Sequence, residues 1–251
     1  MAKNITIKED FSLPSEGRIY GKTFNPDVTL RSMTVEDEMK RLSPSKNPYK
    51  NMSEIIESCI TSEKLPISVY DLCIGDYTYL LHKLRVVTYG ANYPIRYMCP
   101  KCGSIENDTI NLDEMKVNHY NDSIKDLMVI KLPVTGHEIK LKLQTPRDLD
   151  KITNEAQKMK DEFPEMEGDP TQLLTLQSLI AEVDGEPVDP IFIKETLKKL
   201  PMKDANAIAI VASKLNDAIG INTTLKIKCK HCGEEFETPF RYTNEFFGPT
   251  S

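Results

Sequence analysis

Two pairs of cysteines are the residues of this chain whose type and spacing could do chemistry. They lie in Cys99-Pro-Lys-Cys102-Gly103, here the first knuckle, and in Cys229-Lys-His-Cys232-Gly233, the second knuckle. A gap of two residues lets both sulfurs of a pair face one point, and the glycine that follows permits a positive φ angle. Two such turns supply the four thiolates of a closed, tetrahedral Zn²⁺ site. The spacing therefore predicts one structural zinc ion, with the ligands Cys99, Cys102, Cys229 and Cys232.

Other interpretations of the cysteines stay open at this point. Each pair could form a disulfide or remain as idle thiols, and a redox pair is disfavoured because neither pair opens a helix after a buried strand. His231 could replace one thiolate, although a solvent-facing position in the turn is the simpler interpretation. Cys59 and Cys73 lie in apolar helical patterns and are predicted to be small core residues.

Strand-like runs precede both knuckles and would position them. Residues 93–98 lead into the first knuckle and residues 223–228 lead into the second. Each knuckle is therefore expected at the tip of a small antiparallel β hairpin. A zinc ion shared by two such hairpins would join parts of the chain that are far apart in sequence.

Helices are predicted upstream of each knuckle, and two of them begin with the same signal. Thr34 and Thr145 are good N-cap residues, and each is followed three positions later by an aspartate, Asp37 or Asp148. Apolar periodicity and capping signals predict helices over 35–42, 53–60, 77–88, 146–162, 172–182, 190–200 and 201–219. Asp76 is expected to cap the third of these helices, and His82 is expected on its solvent-facing side.

The matched order of elements predicts an α+β fold that is mostly helical and internally duplicated. Residues 1–27 form an extended N-terminal arm, 28–126 a first α+β repeat with its knuckle at 99–103, and 127–251 a second repeat with its knuckle at 229–233. Each half ends in a small antiparallel zinc-knuckle hairpin. The arm carries Phe11, Leu13, Ile19, Tyr20 and Phe24, which would either dock a partner or pack across the domain.

Composition fits a soluble globular protein in a reducing compartment. The chain has 251 residues, 28% of them charged, with six cysteines and a net charge of −6. No apolar run is long enough to cross a membrane, and the N-terminus lacks the apolar core of an export signal. The acidic balance argues against a general nucleic-acid binder. A zinc-ribbon nucleic-acid-binding or transcription accessory protein remains the alternative function.

The sequence offers no convincing catalytic constellation. None of the common nucleophile, phosphate-binding, dinucleotide or zinc-protease motifs is present among its residues. The acidic run Glu36-Asp37-Glu38 fits the first turn of a helix, where it favours the helix dipole. The lysines around the second knuckle would offset the negative charge of a four-thiolate zinc centre. A protein that acts by binding is therefore expected rather than an enzyme.

Several segments, in this order, resemble a known family. They are Leu13-Pro-Ser-Glu-Gly-Arg-Ile-Tyr20, Leu30-Arg-Ser-Met-Thr-Val-Glu-Asp-Glu38, Ile74-Gly-Asp-Tyr-Thr-Tyr-Leu-Leu-His-Lys-Leu-Arg85, Thr88-Tyr-Gly90 and Tyr97-Met-Cys-Pro-Lys-Cys-Gly103. They are similar to the baseplate proteins of contractile-tailed bacteriophages, a family that includes a T-even hub subunit and related hub-assembly proteins.

The resemblance implies a non-enzymatic role in building the central hub of the baseplate. The protein would be either a structural subunit or an assembly factor absent from the finished particle. Its partners would be other baseplate hub or tail proteins, with neither nucleic acid nor membrane among them. It would act in the host cytoplasm during assembly, or in the virion itself.

Overall fold

The computed structural model describes residues 7–21, 23–165, 168–242 and 244–248. The fold is α+β, as the sequence predicts, with eight helices and small antiparallel sheets in this part of the chain. The helices are α1 (Val35–Arg41), α2 (Pro48–Cys59), α3 (Ile74–Tyr89), α4 (Ile124–Leu127), α5 (Pro146–Glu162), α6 (Thr171–Leu179), α7 (Pro190–Lys198) and α8 (Met202–Asp217). The strands are β1 (Lys8–Ser12), β2 (Asp27–Arg31), β3 (Asn92–Met98), β4 (Ile105–Asn111), β5 (Val117–Asn118), β6 (Val129–Lys131), β7 (Glu138–Leu141), β8 (Ile180–Val183), β9 (Glu186–Pro187), β10 (Gly220–Ile221), β11 (Thr224–Lys228) and β12 (Glu235–Pro239).

The first half opens with an antiparallel pair of strands and a capped helix. β1 pairs with β2, and α1 follows β2 with a complete capping box between Thr34 and Asp37. After α2 the chain returns to β2, where Ile60 forms an antiparallel bridge with Leu30. β2 therefore lies between β1 on one side and Ile60, the residue after α2, on the other.

The second half follows the same route. β6 pairs with β7, and α5 follows with a capping box between Thr145 and Asp148. After α6 the chain returns as β8, which pairs with β7 and places Ile180 opposite Leu141. β9 then adds a short strand to complete a four-stranded sheet in the order β6-β7-β8-β9.

Two hydrophobic cores flank the contact between α3 and α8. The first core gathers apolar residues of β2, α2 and α3, and the second gathers residues of β7, α6 and α8. The two helices meet where the N-terminal turn of α3 touches the chain just after α8. A Cβ atom on Gly75 would lie 2.2 Å from the carbonyl oxygen of Ile219, so only glycine fits at this contact.

The N-terminal segment packs across the fold. Beyond β1, Leu13 and Ser15 are fully buried, and Phe24 is 8% exposed. The backbone N–H of Ser15 and the hydroxyl of Tyr20 both donate hydrogen bonds to the carboxylate of Asp76 in α3, at 3.0 and 2.8 Å. The sequence predicts that these apolar residues either dock a partner or pack across the domain. Leu13 and Phe24 pack across the domain.

Three details of the sequence prediction are wrong in the structure. His82 is fully buried rather than solvent-facing, because α3 has neighbours on several sides: β2, α2, α8, β10 and the segments 112–114 and 244–247. Asp76 does not cap α3, whose N-cap is Cys73; its carboxylate is used by Ser15 and Tyr20 instead. The predicted helix over 172–182 ends at Leu179, because its last residues form strand β8.

Candidate metal centre

Each knuckle is the tip of a two-stranded hairpin, so the strands fix the direction of the cysteines. β3 and β4 carry the first knuckle, and β11 and β12 carry the second. In the first, the N–H of Cys99 donates to the carbonyl of Ser104 at 2.9 Å, and the N–H of Gly103 donates back to Cys99 at 3.0 Å. Gly103 has a φ of 72°, a left-handed conformation that glycine adopts without strain.

The second knuckle repeats this geometry at the residues that the sequence selected. The N–H of Cys229 donates to the carbonyl of Glu234 at 2.8 Å, and the N–H of Gly233 donates to Cys229 at 2.9 Å. Gly233 has a φ of 76°. The two turns are thus built alike, and in both the first cysteine is buried while the second is exposed.

The four sulfur atoms lie together, as the spacing predicts. All are within 4.8 Å of one another. The Sγ atoms of Cys99 and Cys232 are 3.7 Å apart, and those of Cys102 and Cys229 are 3.8 Å apart. A tetrahedron of thiolates around Zn²⁺ has Zn–S bonds of about 2.3 Å and therefore S–S edges of about 3.8 Å. Two of the six sulfur separations match this edge, and the others are no longer than 4.8 Å, so the cluster is close to the size that this ion requires.

The disulfide alternative does not describe the structure. All six cysteines of the chain lie in its described part, and all six are free thiols. A disulfide needs sulfurs about 2.0 Å apart, well below the separations within the cluster. Cys59 and Cys73 are buried away from the knuckles, in the positions of core residues that the sequence predicts.

Hydrogen bonds lower the proton affinity of part of the cluster. The backbone N–H of Cys232 and the hydroxyl of Ser104 lower the pKa of Cys229 to about 6. For Cys232, the N–H of Glu234 acts in the same direction, but partial desolvation and the neighbouring sulfurs outweigh it and raise its pKa to about 12. Without a cation the four groups cannot all ionise, because their charges repel one another. A divalent cation would allow all four to bind as thiolates.

Side chains that sequence reasoning did not select also shape the centre. The Ser104 hydroxyl lies 3.2 Å from the sulfur of Cys102 and 3.5 Å from that of Cys229, so it bridges the two knuckles. The rings of Tyr97 and Phe236, one from each knuckle hairpin, pack with their centroids 5.8 Å apart. The sequence did contain a signal for two of these residues. Ser104 and Tyr97 each lie two residues from a cysteine, in a hairpin expected to meet the other hairpin at the metal.

Ion pairs tie the hairpins together on the surface. Lys101 of the first knuckle pairs with Glu234 at 2.7 Å, and Lys230 of the second pairs with Asp108 of β4 at 2.7 Å. Both pairs are partly solvent-exposed, so each adds little stability by itself. His231 is exposed in the turn and does not belong to the cluster of potential metal ligands.

Comparison with known families places the chain. The sequence family described as T4 bacteriophage base plate protein matches residues 5–248. The chain belongs to that family. No curated protein and no solved structure matches it. In the described residues, no helix combines the length and the apolar character needed to span a bilayer.

The structure also gives physical meaning to two of the segments that resemble baseplate proteins. The segment 13–20 and the start of α3 are far apart in sequence, yet they contact each other through Asp76. Tyr20 accepts a hydrogen bond from the N–H of Cys73 at 2.8 Å while it donates to Asp76. Asp76 is fully buried, so these bonds satisfy a carboxylate that would otherwise be costly inside the fold. The two segments form one interlocked unit of this baseplate protein.

Proposed function

We propose that this baseplate protein helps to build the central hub by binding other tail proteins, without covalent chemistry, and that a structural zinc ion holds its two halves together. The observation that carries the proposal is the convergence of the four sulfurs in a chain that matches the baseplate family over almost its whole length.

The zinc ion would act as a clasp between distant parts of the chain. Each knuckle is held by a two-stranded hairpin, and such a hairpin is marginally stable by itself in water. With Cys99, Cys102, Cys229 and Cys232 as its ligands, the ion would have no open position for substrate or water. Its contribution would therefore be to folding, because metal-binding energy is folding energy where no site exists in the unfolded chain.

An internal duplication would explain why the knuckles come from both halves. Three matched features support it. Each half has a capping box, at Thr34 or Thr145, and a cation three residues before that threonine. In each half the backbone also returns after two helices to pair with the second strand, β2 or β7. Arg31 and Lys142 are those cations, and they lie 2.6 and 3.5 Å from the aspartates of their capping boxes. On this proposal the zinc ion lies near a pseudo-twofold axis.

The use of the buried polar groups supports a non-enzymatic role. Asp150 accepts hydrogen bonds from the backbone of Tyr49 and Lys50 at the start of α2, and Asp204 accepts them from Val134 and Thr135. These carboxylates hold backbone N–H groups, which is a structural task. The cysteine cluster is the metal-binding constellation that the described residues contain.

We favour an assembly factor that acts in the host cytoplasm over a permanent subunit of the virion. The chain is acidic and carries 28% charged residues, which suits a protein that must dissociate from its partners. Two of the three lysines of the second knuckle hairpin pair with carboxylates, as Lys228–Glu235 and Lys230–Asp108. This pairing disfavours the nucleic-acid alternative, which needs free cations for phosphate.

Deletion of the gene in the phage tests the function. Without the protein, baseplates should fail to assemble, and supplying the natural chain should restore them. A Cys99→Ser variant should restore little, whereas the matched knuckle variant His231→Ala should restore assembly fully. Mass spectrometry of purified virions then separates the two roles: absence of the protein supports an assembly factor, and its presence supports a subunit. Normal baseplates in the deletion phage would overturn the proposal.

A further inference from the structure

A groove between the two knuckle hairpins has a volume of ≈ 550 Å³. One wall is strand β3 along most of its length, and the other wall comes from the end of β12 and the residues that follow it, 238–241. The groove lies beside the metal centre and is distinct from the sulfur cluster. Its walls carry several unused binding groups.

The first unused groups are on the backbone of β3. In the part of the chain that the structure describes, β3 pairs with β4 alone. At one end of the hairpin the N–H of Cys99 points to the β4 side and donates to Ser104. At the other end the carbonyl of Ala91 also points to the β4 side, where it accepts from the N–H of Leu112. Because hydrogen-bonding directions alternate along an antiparallel strand, the N–H groups of Arg96 and Met98 point away from β4. They form a free strand edge, a common docking site for an extended peptide.

The second unused group is a buried hydroxyl. Tyr97, which lines the groove, is 7% exposed, and its phenolic oxygen has no hydrogen-bond partner among the described residues. A buried hydroxyl without a partner is destabilising, and folded proteins seldom keep one. A ligand in the groove that offers a carbonyl or carboxylate oxygen would satisfy it.

The third feature is charge. Among the seven arginines of the chain, four make ion pairs with carboxylates, namely Arg18, Arg31, Arg41 and Arg147, and Arg85 is fully buried. The remaining two, Arg96 and Arg241, are exposed and have no ion pair within the described ranges. Both line the groove, where Glu245 is the accompanying carboxylate. The charged side chains of the groove therefore sum to a positive charge in a protein whose net charge is −6, which favours an acidic ligand.

The fourth feature is an exposed apolar pair at the end of the first hairpin, of which Met98 lines the groove. Met98 and Ile105 lie opposite each other on β3 and β4 and are 66% and 58% exposed. At the corresponding place on the second hairpin, next to the first cysteine, Lys228 and Glu235 lie opposite each other and form an ion pair. The first hairpin is thus apolar where the second is polar.

We propose that this groove binds an extended, acidic segment of a partner protein, which adds as a strand to the free edge of β3. The carboxylates of the segment pair with Arg96 and Arg241, a main-chain oxygen accepts from the Tyr97 hydroxyl, and an apolar side chain covers Met98. The inference rests on the proposed function in taking the partner to be another tail protein. It adds the chemistry of the segment and the surface that receives it.

A photo-reactive amino acid introduced at Met98 of the full chain, produced in infected cells, tests the site. A matched chain carries the same group at Lys228. Irradiation should cross-link the first chain to an acidic segment of another tail protein, identified by mass spectrometry, and the second chain should give no such product. Cross-links to a second copy of the chain or to nucleic acid would overturn the proposal. So would the absence of any cross-link, or equal cross-linking from both positions.

Binding of that cross-linked segment, made as a synthetic peptide, gives the quantitative test. Arg96→Glu with Arg241→Glu should weaken binding at least tenfold, and Arg18→Ala should leave it unchanged. Tyr97→Phe should weaken binding while leaving the free protein as stable as before or more so, since an unpaired hydroxyl is removed. A double charge reversal that binds as tightly as the natural protein would refute the groove.

The outcomes separate this inference from the proposed function. If the deletion phage assembles normal baseplates, the function itself fails. If deletion blocks assembly but the variant with Arg96→Glu and Arg241→Glu restores it and keeps its fold, only the groove fails.

Discussion

The central helices of the two halves are buried in different ways. Arg85 and His82 of α3 precede the first cysteine of their knuckle by as many residues as Leu215 and Ala212 of α8 precede theirs, and in this sense their positions correspond. All four residues are buried, with exposures of 3% or less. One half therefore places a cation and an imidazole where the other places simple apolar side chains.

The polar groups of α3 bind segments from distant parts of the chain. Arg85 donates from Nε to the carbonyl of Phe246 at 2.7 Å and from Nη1 to that of Gly90 at 2.9 Å. His82 has Nε2 at 2.9 Å from the carbonyl of Leu112, which fits a neutral ring that donates there. At these two positions α3 is held by directed hydrogen bonds and α8 by apolar packing. Single polar substitutions and acid should affect the first half more.

The largest expected effect comes from the centre that joins the two halves. Cys99→Ser should abolish zinc binding and destabilise the protein by several kcal/mol, because structural zinc contributes apparent binding free energies of about 10–16 kcal/mol in small zinc-binding peptides at pH 7. Metal analysis of protein purified without chelator should give one zinc per natural chain and none in the variant. His231→Ala is the control and should keep its metal.

Calorimetry would show how far the two halves depend on the clasp. With zinc bound, α3 and α8 should unfold in one transition. After chelation or Cys99→Ser, the hairpins lose their common anchor, and hydrogen exchange should rise first in β3, β4, β11 and β12. Natural protein that contains no zinc and still shows one high-temperature transition would contradict this prediction.

The next effect is expected at Arg85. Arg85→Met leaves the carbonyls of Phe246 and Gly90 without their donor and should cost about 2–3 kcal/mol, since each buried unsatisfied group costs about 1–3 kcal/mol and loss of a buried charge offsets part of it. Introducing methionine at the corresponding position of α8, as Leu215→Met, should lower the free energy of unfolding by less than about 1.5 kcal/mol. Urea unfolding of both variants measures the difference, and equal costs would remove the contrast between the halves.

What the sequence predicted well depended on local signals. The four cysteines, the two capping threonines and the glycines after each knuckle act through neighbouring residues, so their roles can be inferred from spacing. The burial of His82 depends on how many elements surround α3, which helical periodicity does not report. The two halves also differ in how closely their central helices are surrounded, and the matched order of elements does not report that difference.

The strand β8 shows the same limit from another side. Residues 172–182 read as one helix because Leu-Gln-Ser-Leu-Ile contains no helix breaker. The chain changes to a strand at Ile180 because the free edge of β7 lies there to pair with it. Tertiary pairing overrides local propensity in such a segment. The contacts of the Ser104 hydroxyl and of the Tyr97 and Phe236 rings likewise depend on how two distant hairpins meet.

Mild acid should destabilise the first half more than the second, because His82 lies in the first. Burial lowers the pKa of His82 to about 4; Lys83 and Arg85 act in the same direction, while the hydrogen bond to the Leu112 carbonyl and the charge of Asp113 oppose it. The unfolded chain has an imidazole pKa of about 6.5, so it binds the proton first. The contribution of the neutral ring is therefore complete above about pH 6.5 and is lost as the pH falls toward 4, with a loss of about 2–3 kcal/mol by pH 4.5.

Urea unfolding at pH 7 and pH 4.5 measures this loss, and His82→Gln should remove most of the pH dependence in that window. Hydrogen exchange should show that α3 loses protection in acid before α8, which has Ala212 at the corresponding position. An unchanged pH dependence in His82→Gln, or loss of protection in α8 first, would show that other groups dominate.

The smallest expected difference lies between the two capping boxes, where the halves are most alike. Asp37 and Asp148 play the same local role, but Asp37 also pairs with Arg31 at 2.6 Å and accepts from the hydroxyl of Ser58 at 2.9 Å. Burial raises the pKa of Asp37, but the hydrogen bonds from Arg31, Thr34 and Ser58 outweigh it and hold the pKa well below its usual range. This carboxylate should therefore stabilise its half more than Asp148 does.

Asp37→Asn should cost about 1 kcal/mol more than Asp148→Asn at pH 7, because hydrogen bonds to a charged group contribute about 1.5–3 kcal/mol and neutral ones about 1. The folded pKa is depressed, so this extra stability is present above the unfolded value of about 3.9 and is lost as the pH falls below it. Unfolding at pH 7 and pH 3 in both variants measures the difference. If the two cost the same at pH 7, Arg31 adds nothing to the box, and the local capping signal alone accounts for both helix starts.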